Sequence, residues 1–150
     1  MSLIDEIRAE VKDIAHDIGK GEDKAFGFWF LENYEDFSRE IAEACIVDGP
    51  WDGGVDAFYF DEENSVLKIY QFKYSEDKEY IKKGFSDLQR SIKKEKFKNE
   101  IENAKAINIY LVSLVRTDND LEKLLKNSLK HIKNWIKRRT NNSVALILNI

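Results

Sequence analysis

Cysteine, histidine and proline are scarce in this chain: 1 Cys, 2 His and 1 Pro among 150 residues. Cys45 alone can form no internal disulfide, and with only His16 and His131 beside it no Cys/His zinc cluster can be assembled. Zinc fingers, zinc deaminases and histidine-based metallohydrolases are thereby excluded. Neither Gly-x-x-x-x-Gly-Lys nor Gly-x-Gly-x-x-Gly occurs, which removes the usual phosphate cradles of nucleotide-binding folds. The longest near-continuous apolar run, Ala25 to Leu31, falls far short of the ~20 residues a membrane span needs, and the N-terminus lacks a signal-type apolar core. The expectation is a cytoplasmic protein with no membrane partner. Seven glycines and one proline against 43% hydrophobic and 12% aromatic residues argue against a disordered or fibrous chain. One globular domain over residues 1–150 is expected.

Positive charge is also scarce in the first half. Residues 1–77 carry 7 Lys/Arg against 20 Asp/Glu, a balance of −13, whereas residues 78–150 carry 17 against 8, a balance of +9. An acidic metal-binding end and a basic polyanion-binding surface would produce this polarity, and so would two solvated helical faces of opposite sign.

Ile4, Ile7, Val11, Ile14 and Ile18 recur at spacings of three and four, with Ser2 and Asp5 forming a capping-box pattern in front and Gly19-Lys20-Gly21 behind. A second helix is expected after Asp23. It carries Ala25, Phe26, Phe28, Trp29, Phe30 and Leu31, apolar on most sides and therefore buried. Asp36 to Ala44 forms a third amphipathic segment. Past the Gly49-Pro50 and Gly53-Gly54 punctuation the period becomes two: Val55 to Phe60 and Val66 to Lys73 read as a β-hairpin joined by Asp61-Glu62-Glu63-Asn64. A long basic helix or helix pair follows from about Asp77 to Ala104. Ile107 to Val115 and the C-terminal SVALILNI are apolar on both faces, as strands covered on both sides require. Between them a helix is expected from about Asn119 to Arg139. The order implies an α/β domain with a mixed β-sheet flanked by helices, because the late β-α-β passage needs a crossover.

Alternation places Leu67, Ile69, Gln71 and Lys73 on one face of the second hairpin strand. With a four-residue turn pairing Phe60 with Ser65, residue 56 lies opposite residue 69, and Asp56 neighbours Gln71 diagonally. A carboxylate, an amide oxygen and an ammonium are thus gathered on an otherwise apolar face, which is costly unless a ligand or ion completes it. A hard divalent cation takes such oxygens; Mg²⁺ accepts one or two carboxylates together with waters and substrate phosphate. The neighbouring lysine can orient an attacking water or stabilise charge on the phosphorus centre.

GGVDAFYF followed by VLKIYQFKYS, with Asp56 and then Gln71-Phe72-Lys73, resembles the Asp…(Glu/Gln)-x-Lys core of the PD-(D/E)XK nuclease superfamily. The glutamine version is similar to Mrr-type restriction endonucleases. The stretch from Asp48 to Ser75 is closer still to the N-terminal domain of abortive-infection phage-resistance (AIPR) proteins. The resemblance implies a restriction-endonuclease-like fold with extra N-terminal helices. It further implies that Asp56 is a metal ligand, that Gln71 is a ligand through its amide oxygen together with the Phe72 carbonyl, and that Lys73 is the catalytic lysine. Val55 stands where the superfamily has proline. Many relatives add a glutamate from the preceding helix; Glu32 is the first choice for that ligand, with Glu35 and Glu43 as rivals. AIPR proteins extend well beyond such a module, so the chain is expected to be the N-terminal part of a longer protein or a stand-alone relative.

The implied function is an Mg²⁺- or Mn²⁺-dependent endonuclease hydrolysing DNA phosphodiester bonds, in phage defence or restriction. Two alternatives stay open: a catalytically inactive nuclease-fold module that binds nucleic acid, and a protein-interaction module that forms a homodimer through the Ile4 to Ile18 stripe. DNA binding would fall to the basic half. Lys82, Lys83, Arg90, Lys93 and Lys94 follow the active-site strand directly, so their helix is expected to flank the cleft. The ridge of Lys123, Lys126, Lys130, Lys133 and Lys137 is the second candidate surface.

Overall fold

A computed structural model describes residues 2–47, 55–92, 98–115 and 143–149, with scattered positions between 119 and 130. Asp48 to Gly54, Lys93, Lys94 and most of the helix expected over Asn119 to Arg139 lie outside the described residues. The chain forms two compact units, Met1–Ile46 and Val47–Ile150.

The first unit is helical. Helix α1 (Leu3–Ile18) opens with the expected reciprocal box, Ser2 accepting from the Asp5 N–H while the Asp5 carboxylate accepts from the Ser2 N–H. It ends where Gly19 takes a left-handed φ of 66°, a conformation that glycine adopts without a Cβ penalty. Helix α2 (Glu22–Asn33) buries Ala25, Phe26, Gly27, Phe28, Phe30 and Leu31, as expected of a helix apolar on most sides. Helix α3 (Arg39–Cys45) starts at a Ser38 cap, three residues later than the amphipathic segment suggested, because Asp36 (φ 60°) turns the chain first.

The second unit is mixed α/β. Its sheet runs β1 (Ala57–Asp61), β2 (Val66–Lys73), β3 (Ala106–Ser113) and β4 (Ser143–Asn149) in spatial order 1-2-3-4. The β1 and β2 strands are antiparallel, while β2, β3 and β4 are parallel. The β2-to-β3 crossover contains α4 (Lys78–Ile92) and α5 (Lys98–Asn103). Leu67, Ile69, Ile107, Ile109 and Leu111 form one core face with Ile81 and Leu88 of α4 and Ile101 of α5. On the opposite face Tyr70 stacks on Tyr110 at 4.6 Å and on Phe72 at 5.8 Å. The last four residues of β2 are therefore buried on both faces. Among the described residues no helix is long and apolar enough to cross a membrane.

The hairpin register corrects the sequence-based count. Phe60 pairs with Leu67 and Asp61 with Val66, so the loop is Glu62 to Ser65 rather than Asp61 to Asn64. Two local interactions account for the shift. The Asp61 carboxylate accepts from the Asn64 side-chain amide (2.9 Å) and the Asn64 N–H (3.2 Å), which closes the turn one residue later. Ser65 adopts φ 54°, incompatible with a place in the ladder, and its carbonyl accepts from the Lys105 N–H at 2.7 Å.

Candidate active site

Four buried polar or charged side chains stand out among the described residues: Asp56, Gln71, Lys73 and Ser113. All are brought to one end of the second unit. Parallel pairing runs β2 and β3 to the same carboxyl end, and the register sets Lys73 directly beside Ser113. Ligand sites of open α/β sheets form at such ends.

Asp56 sits in a β-bulge. Its N–H donates to the Tyr70 carbonyl (2.9 Å), although Tyr70 is already the ladder partner of Ala57, so two successive residues oppose one. The Asp56 carbonyl accepts from the Val47 N–H at 2.9 Å. Its carboxylate Oδ2 accepts from the Phe72 N–H at 2.8 Å, occupying the position along β2 where regular β1 pairing has ended. Asp56 is therefore not the diagonal neighbour that a Phe60–Ser65 register implied; the two-residue shift and the bulge carry its carboxylate to the Gln71–Phe72 peptide. In a strand the N–H and C=O of one residue point to the same edge, so the Phe72 carbonyl lies on the edge that carries Asp56.

Gln71 and Lys73 share the α4-facing side of β2. Gln71 Nε2 donates to the Gly84 carbonyl at 2.6 Å, while Gln71 Oε1 is buried and accepts no hydrogen bond. An orphaned buried acceptor costs about 1–3 kcal/mol. Lys73 is only 8% exposed, and its ammonium lies 4.5 Å from the centroid of the Tyr80 ring, which is 46% exposed. The aromatic face partly replaces the water that the ammonium has lost.

Ser113 was not singled out from the sequence. Its Oγ accepts from the Val115 N–H at 3.2 Å, leaving the hydroxyl proton to be given to another group. A signal for it did exist: the Ile-Tyr pair recurs in both strands, and aligning Ile69-Tyr70 with Ile109-Tyr110, as the sheet does, brings Lys73 to Ser113.

The donor set suits a hard divalent cation. The Asp56 carboxylate, the unmatched Gln71 Oε1 and the Phe72 carbonyl are all oxygens, the ligands that Mg²⁺ and Mn²⁺ prefer. Among the described residues no group of three or more His, Cys, Asp and Glu side chains is gathered.

The other expected residues lie in the helical unit and on α4. Glu32 belongs to the helical unit, where its Oε1 accepts from Arg39 Nε at 2.7 Å. Of its rivals, Glu35 lies close enough to Cys45 to act on its thiol, and Glu43 is exposed. On α4, Arg90 is ion-paired with Asp87, and Lys82 with Glu79 at 3.2 Å. Lys83 is exposed and has no acidic partner among the described residues.

Comparison with protein-family models, with curated proteins and with solved structures finds no match to this chain.

Proposed function

We propose that the second unit is a divalent-cation-dependent nuclease of the PD-(D/E)XK type, acting on DNA phosphodiester bonds. The observation that supports this reading is the burial of a carboxylate, an orphaned amide oxygen and a lysine at the carboxyl end of β2. An apolar sheet end without a ligand would gain nothing by burying these groups.

Asp56, Gln71 and the Phe72 carbonyl would hold the cation. When bound, Mg²⁺ or Mn²⁺ supplies charge neutralisation at the scissile phosphate and lowers the pKa of a coordinated water. Lys73 contributes a fixed positive charge next to these oxygens, placed to orient the incoming water or to meet negative charge developing on phosphate. Its ammonium is held on the Tyr80 ring, with no carboxylate partner among the described residues, so moving it toward a phosphate breaks a cation–π contact worth about 1–2 kcal/mol. Ser113, beside Lys73 in the sheet, can donate its hydroxyl proton to a phosphate oxygen. Asp56 is the one protein carboxylate in the set, so the remaining oxygens would be left to water and substrate, an arrangement common for Mg²⁺.

The test is cleavage of supercoiled plasmid and of single-stranded DNA in Mg²⁺ and in Mn²⁺, with Lys73→Met and Asp56→Asn alongside. Nicked or linear product from the parent, lost in both variants and on addition of a chelator, is the expected result. Absence of cation-dependent cleavage with every substrate would overturn the catalytic reading. Salt-sensitive DNA binding without cleavage would leave the inactive binding module in its place.

A further inference from the structure

At Gly84 the backbone of α4 lies close against the side chains of β2. A Cβ built there would lie 2.6 Å from Lys73 Cε, 3.1 Å from Gln71 Oε1 and 3.4 Å from Gln71 Cδ. The missing side chain is thus the space through which both site side chains pass. The backbone of the same residue contributes as well, since its carbonyl accepts from Gln71 Nε2 at 2.6 Å. A primary amide has one donor end and one acceptor end. Turning it over would set Oε1 against the Gly84 carbonyl, two acceptors in contact. The Gly84 carbonyl therefore selects one amide orientation, in which Oε1 is the buried atom left without a donor.

We propose that Gly84 is a positioning residue: it holds the Gln71 carboxamide so that its oxygen, and not its nitrogen, is offered to a divalent cation, and it leaves Lys73 room to run beside it. The proposal rests on the cation reading above and extends it to a residue that bears no side chain and touches no substrate. It also gives a physical reason for glycine inside a helix, where glycine is otherwise unfavourable. A neutral amide is an adequate ligand only if its oxygen is preset, because it lacks the charge that would draw a cation to either end of a carboxylate. Supporting groups of this kind change metal affinity by about 10- to 100-fold when altered.

Gly84→Ala is compatible with folding. Its shortest contact is to the far end of a flexible lysine, which can move aside, and alanine favours the helix. The experiment is a Mg²⁺ titration of isotopically labelled protein followed by NMR, reading the Gln71 Nε2 protons, Gln71 Cδ and Asp56 Cγ in the parent and in Gly84→Ala. In the parent, the Gln71 amide protons are expected to exchange slowly with and without Mg²⁺, while Gln71 Cδ and Asp56 Cγ shift together. In Gly84→Ala the amide protection is lost and the Mg²⁺ dissociation constant rises about tenfold or more, with the backbone spectrum of the sheet retained.

The failures are distinguishable. Mg²⁺ moving Asp56 Cγ but not Gln71 Cδ, or binding Gly84→Ala as tightly as the parent, would overturn the positioning role while the cation reading stands. Slow amide exchange with no Mg²⁺ shift at either carbon would overturn the cation reading, and with it the proposal. If Gly84→Ala does not fold, rapid exchange of the Gln71 amide protons in the parent would still overturn the positioning role.

Discussion

Asp56 makes a structural bond and is proposed to make a functional one, and two substitutions separate the roles. Asp56→Ala removes the acceptor of the Phe72 N–H, a donor on a residue only 4% exposed. An unsatisfied buried donor costs about 1–3 kcal/mol, partly offset because a carboxylate no longer has to be desolvated. The net expectation is a loss of about 2 kcal/mol. For a chain of 150 residues this lowers Tm by roughly 4–8 °C. Asp56→Asn keeps an oxygen for the same N–H and removes only the charge, so its stability should stay within about 1 kcal/mol of the parent. Cleavage should nevertheless fall by about 100-fold or more, the scale of losing one electrostatic stabiliser of a transition state. Urea unfolding and plasmid cleavage in Mn²⁺, measured on the same preparations, read both quantities. An Asp56→Asn variant that cuts as well as the parent would refute the proposed role of the carboxylate. An Asp56→Ala variant as stable as the parent would refute the energetic account of the bulge.

Gln71→Glu would set a carboxylate against the Gly84 carbonyl, and the Lys73 side chain running beside it would offset only part of the desolvation and acceptor–acceptor cost, so without divalent cations it should lose about 1–3 kcal/mol in urea unfolding. Mg²⁺ should restore part of that loss through linkage, and an equally stable cation-free variant would show that the amide contact contributes little. Burial, and secondarily the Glu35 carboxylate, push the Cys45 thiol up from its ordinary 9.0 to about 11. The unfolded thiol therefore ionises first as pH rises, so stability held below pH 9 should decline between about pH 9 and 11. At pH 8 a disulfide reagent should label Cys45 only as fast as the helical unit opens; immediate labelling of folded protein would contradict its burial. Because Lys82 and Arg90 are paired with acids one turn away, Lys83→Ala should flatten the salt dependence of DNA affinity, measured in Ca²⁺, more than Lys82→Ala or Arg90→Ala. The expected change is about 0.9 log unit per log unit of salt for one lost phosphate contact, and equal slopes in all three variants would exclude this face of α4 as the DNA surface.

The elements themselves were legible from local chemistry. The Ser2/Asp5 box, the Gly19 stop, the all-apolar α2 and the two-sided apolar run of β3 each leave a mark within a dozen residues, because capping and burial patterns are set by near neighbours in the chain. That Asp56 comes to the end of β2 that carries Gln71 and Lys73 was readable for the same reason, since a hairpin brings close what is already close in sequence. The register was not readable: it depended on Asn64 bonding to Asp61 and on the left-handed turn at Ser65. Nor was the bulge, which exists only because Tyr70 accepts from Asp56 while pairing with Ala57. Basic residues spaced along α4 read as a cationic face, yet two of them, Lys82 and Arg90, proved to be paired with acids of their own helix, a choice of rotamer that spacing leaves open. Gly84 and Ser113 lie 13 and 40 positions beyond the β2 residues they serve, counted from Gln71 and Lys73. Their places beside Gln71 and Lys73 arise only when the crossover folds α4 onto the sheet and lays β3 parallel to β2. A missing side chain carries no pattern of its own, the Ile-Tyr repeat points to Ser113 only once β3 is known to lie beside β2, and packing at a distance in sequence decided where both residues stand.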